Sequence, residues 1–264
     1  MNWKDEITLV VPCKLESKDR IENLAAFVTY AKRISNRPVS IIECDTRPKA
    51  QAMVSDLPNV RYMFVTSNSP GYWSRSLPIN QGVMWATTDI VAPWDMDVVI
   101  EPSQVEESVR AILEDRADWA IPFTKLHVVK HELHREVLNG SFSYNVHAPG
   151  YLHTIIAEEF FGAANIFRRE VFQHVRGFSE RHIGWGSEDA EIGARMKTLE
   201  YRLFRHTGPA WHIEHEREAV TTDPQLAAID RNIQETRRVE AMTANQLRDY
   251  YGVTSQIGEY FKRR

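Results

Sequence analysis

Three short stretches of this 264-residue chain carry side chains whose types and spacing could do chemistry. The first is Asp95-Met96-Asp97, directly after the apolar run Ile90 to Trp94. Residues i and i+2 of a strand point to the same side, so two carboxylates at a strand's end would converge on one point. Like charges so placed repel unless a cation neutralises them. An Asp-X-Asp is often a solvated turn, but Val91, Trp94, Val98, Val99 and Ile100 surround this one. Carboxylates in such company need a partner. The second stretch is Gly184-Trp185-Gly186-Ser187-Glu188-Asp189-Ala190-Glu191. Acids at a helix start complement its dipole, which alone accounts for Glu188 and Asp189. The same placement would serve a general base kept ionised near neutral pH, with Trp185 as a platform for a ring-shaped substrate such as a sugar. The third is Trp211-His212-Ile213-Glu214-His215-Glu216. A neutral imidazole here could complete an Asp/His cation site, a donor set better suited to Mn²⁺ than to Mg²⁺.

A fourth group looks similar but has the wrong spacing. His131-Glu132-Leu133-His134 is one residue short of the H-E-x-x-H pattern of zinc peptidases, so its histidines are not expected to share a helix face. It reads as a polar loop or an exposed helix.

The elements that must position these residues follow an alternating pattern. Ile7 to Val11 is a continuous apolar run ended by Pro12, the signature of a strand buried on both faces. Residues 19–34 have amphipathic helical spacing, residues 39–42 and 61–65 read as strands, and 80–86 as a short helix. A strand at 90–94, a helix at 105–113 and a strand at 119–121 follow. Alternating βα units imply an α/β fold with a mostly parallel sheet, whose ligands sit at the carboxyl ends of the strands. Lys14, the Glu43/Asp45 pair and the Asp95/Asp97 pair all fall at such ends. Residues 125–155, rich in His, Asn, Ser and Gly, read as a long excursion over the site. A short helix at 169–174 and a longer one from Glu188, with Ser187 as N-cap, follow. A strand at 203–206 ends in a Gly208-Pro209 turn, and helices open at Asp223-Pro224 and at Thr243.

Composition bounds the rest. Lys+Arg 32 against Asp+Glu 36 gives −4, which excludes a surface basic all over, as phosphate-backbone tracking requires. Two cysteines, Cys13 and Cys44, cannot build a disulfide framework and suit a reducing compartment. No run of 18 apolar residues spans a membrane, and the acidic start Met1 to Glu6 is no signal peptide, so a cytoplasmic location is expected.

Together these pieces resemble the nucleotide-sugar glycosyltransferases of the GT-A fold, most of all the β-galactosyltransferases and the bacterial chondroitin-polymerase-like enzymes. The likeness runs over roughly residues 6 to 217. Val11-Pro12-Cys13-Lys14 with Asp19-Arg20 is similar to the family's first-strand exit beside the nucleotide, though longer than its Pro-Phe-Arg-Asn-Arg. Trp73-Ser74-Arg75 is similar to Phe-Asn-Arg, whose aromatic and arginine contact the diphosphate. Asp95-Met96-Asp97 resembles the DXD metal motif, and Phe161-Gly162-Ala163-Ala164 the Tyr-Phe-Gly-Gly of the acceptor side. The most specific likeness is Gly184 to Glu191 against Gly-Trp-Gly-Gly-Glu-Asp-Asp-Asp. By that resemblance Asp189 is the catalytic base and Glu188 helps bind the acceptor. His215 falls on the family's histidine metal ligand, and His212 on a methionine ligand.

The resemblance therefore implies a metal-dependent, inverting transferase moving a hexose or N-acetylhexosamine from a UDP-sugar to an acceptor hydroxyl. Asp97, Asp95, His215 and His212 would surround Mn²⁺ (or Mg²⁺). Pro12, Arg20, Asp45, Trp73, Arg75, Asp95 and Trp185 would line the donor. A GT-A domain would fill residues 1–217, nucleotide-binding to about 124 and acceptor-binding beyond, with a helical extension over 218–264. The acceptor could be a glycan, a small molecule or another hydroxyl, with nucleic acid open only in that role and no membrane partner. A retaining transferase, a non-catalytic nucleotide- or carbohydrate-binding module and a nucleotidyltransferase are the alternatives. Asp rather than Asn at 189 disfavours the first, and the complete set of acids the second. The last lacks a glycine-rich phosphate loop with a following Lys near residue 14.

Overall fold

The computed structural model describes residues 2–67, 73–140, 149–156, 159–184, 186–216 and 222–253. In chain order the first half runs β1 (Ile7–Cys13), α1 (Lys18–Ile34), β2 (Val39–Asp45), α2 (Gln51–Val54), β3 (Val60–Thr66), α3 (Ser76–Trp85) and β4 (Ile90–Pro93). It continues through β5 (Val98–Ile100), α4 (Pro102–Leu113), β6 (Trp119–Ile121), β7 (Lys125–Val129), α5 (His134–Asn139) and β8 (Tyr151–Ile156). Then come β9 (Ile166–Arg168), α6 (Arg169–His174), α7 (Glu188–Thr198), β10 (Leu203–Arg205), β11 (Pro209–Ile213), α8 (Asp223–Glu240) and α9 (Ala244–Tyr251).

β1 and β2 are buried along their whole length, as continuous Val/Ile runs in a two-sided parallel sheet must be. They lie within a seven-stranded sheet of order β10-β6-β9-β4-β1-β2-β3. Its pairings are parallel except where β9 runs antiparallel between β4 and β6. The expected mostly parallel α/β architecture, with helices beside the sheet and two helices after residue 217, is thus the one observed.

A second sheet of order β5-β11-β7-β8 departs from the sequence reading. Residues 125–129 and 151–156, expected to be irregular, form two of its strands. Two features hid them. Lys125 and His127 break the apolar pattern of β7, and β8 is an edge strand with exposed residues on both faces. Residues 141–148 of that excursion lie outside the described residues. Pro209 does not end an element but begins β11, where a missing N–H is tolerated. This small sheet positions chemistry: β11 pairs antiparallel with β5 so that His212 faces Val98, and the Ile213 N–H donates to the Asp97 carbonyl at 2.8 Å.

Among the described residues no helix is long and apolar enough to cross a membrane.

Candidate active site

Asp95 and Asp97 are not side by side on a strand. β4 stops at Pro93, a tight turn closed by the Val98 N–H on the Asp95 carbonyl (3.1 Å) follows, and the two carboxylates pair with different partners while still raising each other's cost of ionisation. The Asp95 N–H is itself tied to the Ala163 carbonyl at 2.8 Å. The i, i+2 rule for strands therefore does not apply here, and each acid finds its own partners.

Asp97 meets the histidines. Its Oδ2 lies 3.0 Å from His215 Nε2, its Oδ1 3.7 Å from His212 Nε2, and both imidazoles are largely buried beside it. The His215 Nδ1 lies 2.9 Å from the Glu216 carbonyl, which can only accept, so Nδ1 holds a proton, and Nε2 donates to the Asp97 carboxylate only when the ring carries a second one. Burial alone would push the Asp97 carboxyl up; the two imidazoles outweigh it and hold it well below the usual carboxylate range. His215 moves the opposite way, its desolvation outweighed by the hydrogen bond to Asp97. Asp97 Oδ1 is buried and accepts no hydrogen bond among the described residues. One carboxylate and two imidazoles, with ligand atoms within 4.8 Å of one another, suit a divalent transition ion.

Asp95 turns instead to Arg75, which α3 presents from its N-cap position. The guanidinium lies 2.8 Å from Asp95 Oδ1, 2.5 Å from Asp189 Oδ1 and 3.6 Å from Glu188 Oε1. It is thus the shared counter-ion of the Asp95 turn and the start of α7. Burial raises the Asp95 carboxyl against the pull of Arg75. Asp189, expected to stay ionised near neutral pH, is instead pushed up to about 8: burial, with Glu188 and Asp95 adding to it, outweighs the Arg75 cation and the helix start.

The loop before α7 is made by backbone conformations that few residues accept. Gly184, Gly186 and Ser187 all have positive φ (82°, 99° and 72°). Ser187 stands at the N-cap of α7 but its side chain does not cap; its left-handed backbone is the reason, since a capping serine needs extended geometry. The close approach of Asp189 to Gly162 also has a steric basis. A Cβ at Gly162 would lie 2.7 Å from Asp189 Oδ2.

α8 holds this loop from the far side. Asn232 donates to the Ile183 carbonyl at 3.1 Å and the Gly186 carbonyl at 3.2 Å, and accepts from the Ile183 N–H at 3.2 Å. Thr236 donates to the Ser187 carbonyl at 3.1 Å and meets His182 Nε2 at 3.0 Å. Sequence reasoning missed both residues. The available signal was their spacing: Ala228, Asn232 and Thr236 recur every four residues on the buried face of α8, where polar side chains need partners. Further along, buried Glu191 pairs with buried Arg195 at 2.8 Å and accepts the Tyr251 hydroxyl at 2.7 Å, tying α7 to α9.

The remaining expected residues are spread around this centre. Arg20 donates to the Lys14 carbonyl at 2.9 Å and lies 3.5 Å from His215 Nε2, so the first-strand exit does reach the Asp97 group. Pro12 is buried within β1, opposite Ile42. Asp45 is buried at the end of β2, where Lys49 at 2.8 Å and the Thr46 N–H outweigh desolvation and hold its carboxyl low. Trp73 is half-buried two residues before Arg75. Trp185 lies outside the described residues. His131 and His134, not expected to share a face, stack their rings in parallel with centroids 4.7 Å apart.

Comparison with known protein families fits this geometry. The pattern of glycosyl transferase family 2 matches residues 8–176, from β1 past the Asp95 turn to α6. A second pattern, described as the N-terminal domain of galactosyltransferase, matches residues 146–217, which include the Gly184–Asp189 loop, His212 and His215. No curated protein matches the chain. With almost two thirds of its length under the first pattern, the chain belongs to glycosyl transferase family 2 and is a transferase of the nucleotide-sugar-dependent class.

Proposed function

We propose that the chain is a metal-dependent, inverting hexosyltransferase that uses a UDP-sugar and has Asp189 as its general base. The observation that carries the reading is the meeting of two groups at the Asp95–Asp97 turn: Asp97 with His212 and His215, and Arg75 with Asp95, Glu188 and Asp189. Asp97, His215 and His212 are the residues that would hold Mn²⁺ (or Mg²⁺), with Asp95 beside them. Such an ion supplies positive charge for a departing diphosphate. The fork of Arg75 is suited to the same phosphates, a bidentate anion-binding geometry. Pro12, Arg20, Asp45, Trp73 and Trp185 are assigned to the donor pocket with it, and residues 1–217 to the transferase domain.

Asp189 would take the proton of an acceptor hydroxyl as the oxygen attacks the anomeric carbon from the face opposite the leaving group. Glu188 would hold that acceptor. One base without a second carboxylate acting as nucleophile supports a single displacement and inversion. The two-carboxylate glycosidase scheme is not needed, because a diphosphate leaves without an acid to protonate it. The two free cysteines fit a cytoplasmic setting.

The test is a donor screen with Mn²⁺ reading UDP release, followed by acceptor trials and NMR of the product anomer. Asp189→Asn is expected to keep UDP binding and lose transfer by about 10²–10⁴-fold. Transfer at the wild-type rate in that variant would remove Asp189 from the mechanism, and a retained anomer would replace inversion by the retaining alternative.

A further inference from the structure

The stacked histidines have a second set of neighbours that the transferase chemistry does not use. Glu22, one turn into α1, places Oε2 3.0 Å from His131 Nε2, and Asp19 places Oδ1 3.6 Å from the same nitrogen. His134 Nδ1 lies 3.0 Å from the His131 carbonyl. A carbonyl only accepts, so Nδ1 carries the proton and Nε2 keeps its lone pair, the tautomer of an imidazole ready to bind a metal. One ligand atom from each of Glu22, His131 and His134 lies within 4.8 Å of the other two. An open cavity between α1 and α5, lined by Ala25, Ala26, Thr29, Arg135, Leu138 and Asn139 besides Glu22 and His134, gives an ion and its water a way in.

We infer that Glu22, His131 and His134, with Asp19 as fourth ligand, form a second divalent transition-metal site separate from the Asp97 group. The donor set of two imidazoles and carboxylates favours Zn²⁺ or Co²⁺ over Ca²⁺ or Mg²⁺. Tetrahedral bonds of about 2.0 Å set ligand atoms about 3.3 Å apart. Glu22 and His131 already meet that spacing at 3.0 Å, and closing the third ligand requires the rings to turn out of their parallel stack. Lys18, 3.4 Å from Glu22 Oε1 and 84% exposed, is the cation a bound ion would displace; so exposed a pair offers little resistance. This is not the peptidase pattern, because the carboxylate comes from α1 and the histidines are three apart.

The site's place in the fold gives it a structural role. Asp19 Oδ2 accepts the Glu216 N–H at 3.3 Å, and the Glu216 carbonyl accepts His215 Nδ1–H at 2.9 Å. An ion on Asp19 and Glu22 would thus brace, through Glu216, the histidine beside Asp97.

The experiment is equilibrium dialysis of the chelator-stripped full chain against Zn²⁺, with Co²⁺ absorption as a second readout. Two ions per wild-type chain are expected. Glu22→Gln with His131→Asn, both part-exposed positions, should keep one, and Asp97→Asn with His215→Ala should keep the other. Circular dichroism confirms that each variant is folded. Two ions retained by the Glu22/His131 variant would overturn the assignment, as would a wild-type chain whose bound ion is lost only with Asp97 and His215. Because the readout is binding rather than turnover, it stands apart from the transferase reading.

Discussion

Replacing Arg75 by Met keeps most of the side chain's volume and removes the guanidinium that three carboxylates share. That group is 10% exposed, Glu188 11% and Asp189 22%, so water only partly takes over its role. At an effective dielectric of about 20, charge centres about 4 Å apart attract by roughly 4 kcal/mol. Releasing the guanidinium from its own desolvation offsets much of the sum over three partners. Orphaning buried charge by removing one partner typically costs about 3–5 kcal/mol, and that is the loss expected here. The carboxylates can relieve it by taking up protons, which fixes the pH dependence. An acid whose folded pKa lies above its unfolded value binds more protons when folded, so its contribution to stability falls as pH rises between the two. For Asp189 that window runs from the ordinary 3.8 to about 8, and losing Arg75 widens it upward. Urea unfolding of wild type and Arg75→Met at pH 5.5 and pH 8.5 measures the difference. The loss should be full at the higher pH and clearly smaller at the lower. Equal losses at both, or a loss below about 1 kcal/mol at pH 8.5, would refute the shared counter-ion.

The proposed role of Asp189 as base carries the same shift into activity: with its carboxyl raised to about 8, kcat/KM for transfer should climb with pH through that value, and a profile flat from pH 6 to 9 would count against this base. Asn232→Ala removes the donor to two loop carbonyls; unfolding should show a loss of about 1–3 kcal/mol, with kcat falling more than KM rises. A change in neither would make α8 a bystander. Gly162→Ala puts a methyl 2.6 Å from the part-exposed Phe160 ring and 2.7 Å from Asp189 Oδ2, and both side chains escape it by moving. Transfer should therefore drop while thermal stability holds to within about 1 kcal/mol; the reverse pattern would mean that the contact is only packing.

How much of this was legible depended on whether a residue's role was set locally. β1, β2 and β4 announce themselves because a strand buried on both faces has no option but a run of apolar residues. The last helix carries its start in sequence, with the Thr243–Gln246 box formed as cap chemistry requires. The other two starts were half legible: Ser187 precedes α7 without capping it, and α8 takes Thr222 as its N-cap, one residue before the Asp223-Pro224 pair that marks it in sequence. The second sheet was opaque because β5 is only three residues long and β8 has no buried face to pattern it. The acids and histidines of the site could be listed from sequence, but not paired. That Asp97 would go to the histidines and Asp95 to Arg75 depends on a turn after Pro93 and on β5 lying against β11.

The C-terminal helices show the limit most clearly. On sequence they read as an extension beyond the transferase, and the family patterns stop at residue 217. Yet a loop with three positive-φ residues in four positions cannot satisfy its own backbone by regular hydrogen bonding. The carbonyls of Ile183 and Gly186 find their donor in Asn232 of α8, and Thr236 adds a second donor to the Ser187 carbonyl, which already accepts the Glu191 N–H of α7. The irregular loop that presents Asp189 to Arg75 therefore takes a partner outside the motif, and Asn232 and Thr236 supply it from residues that carry no motif at all.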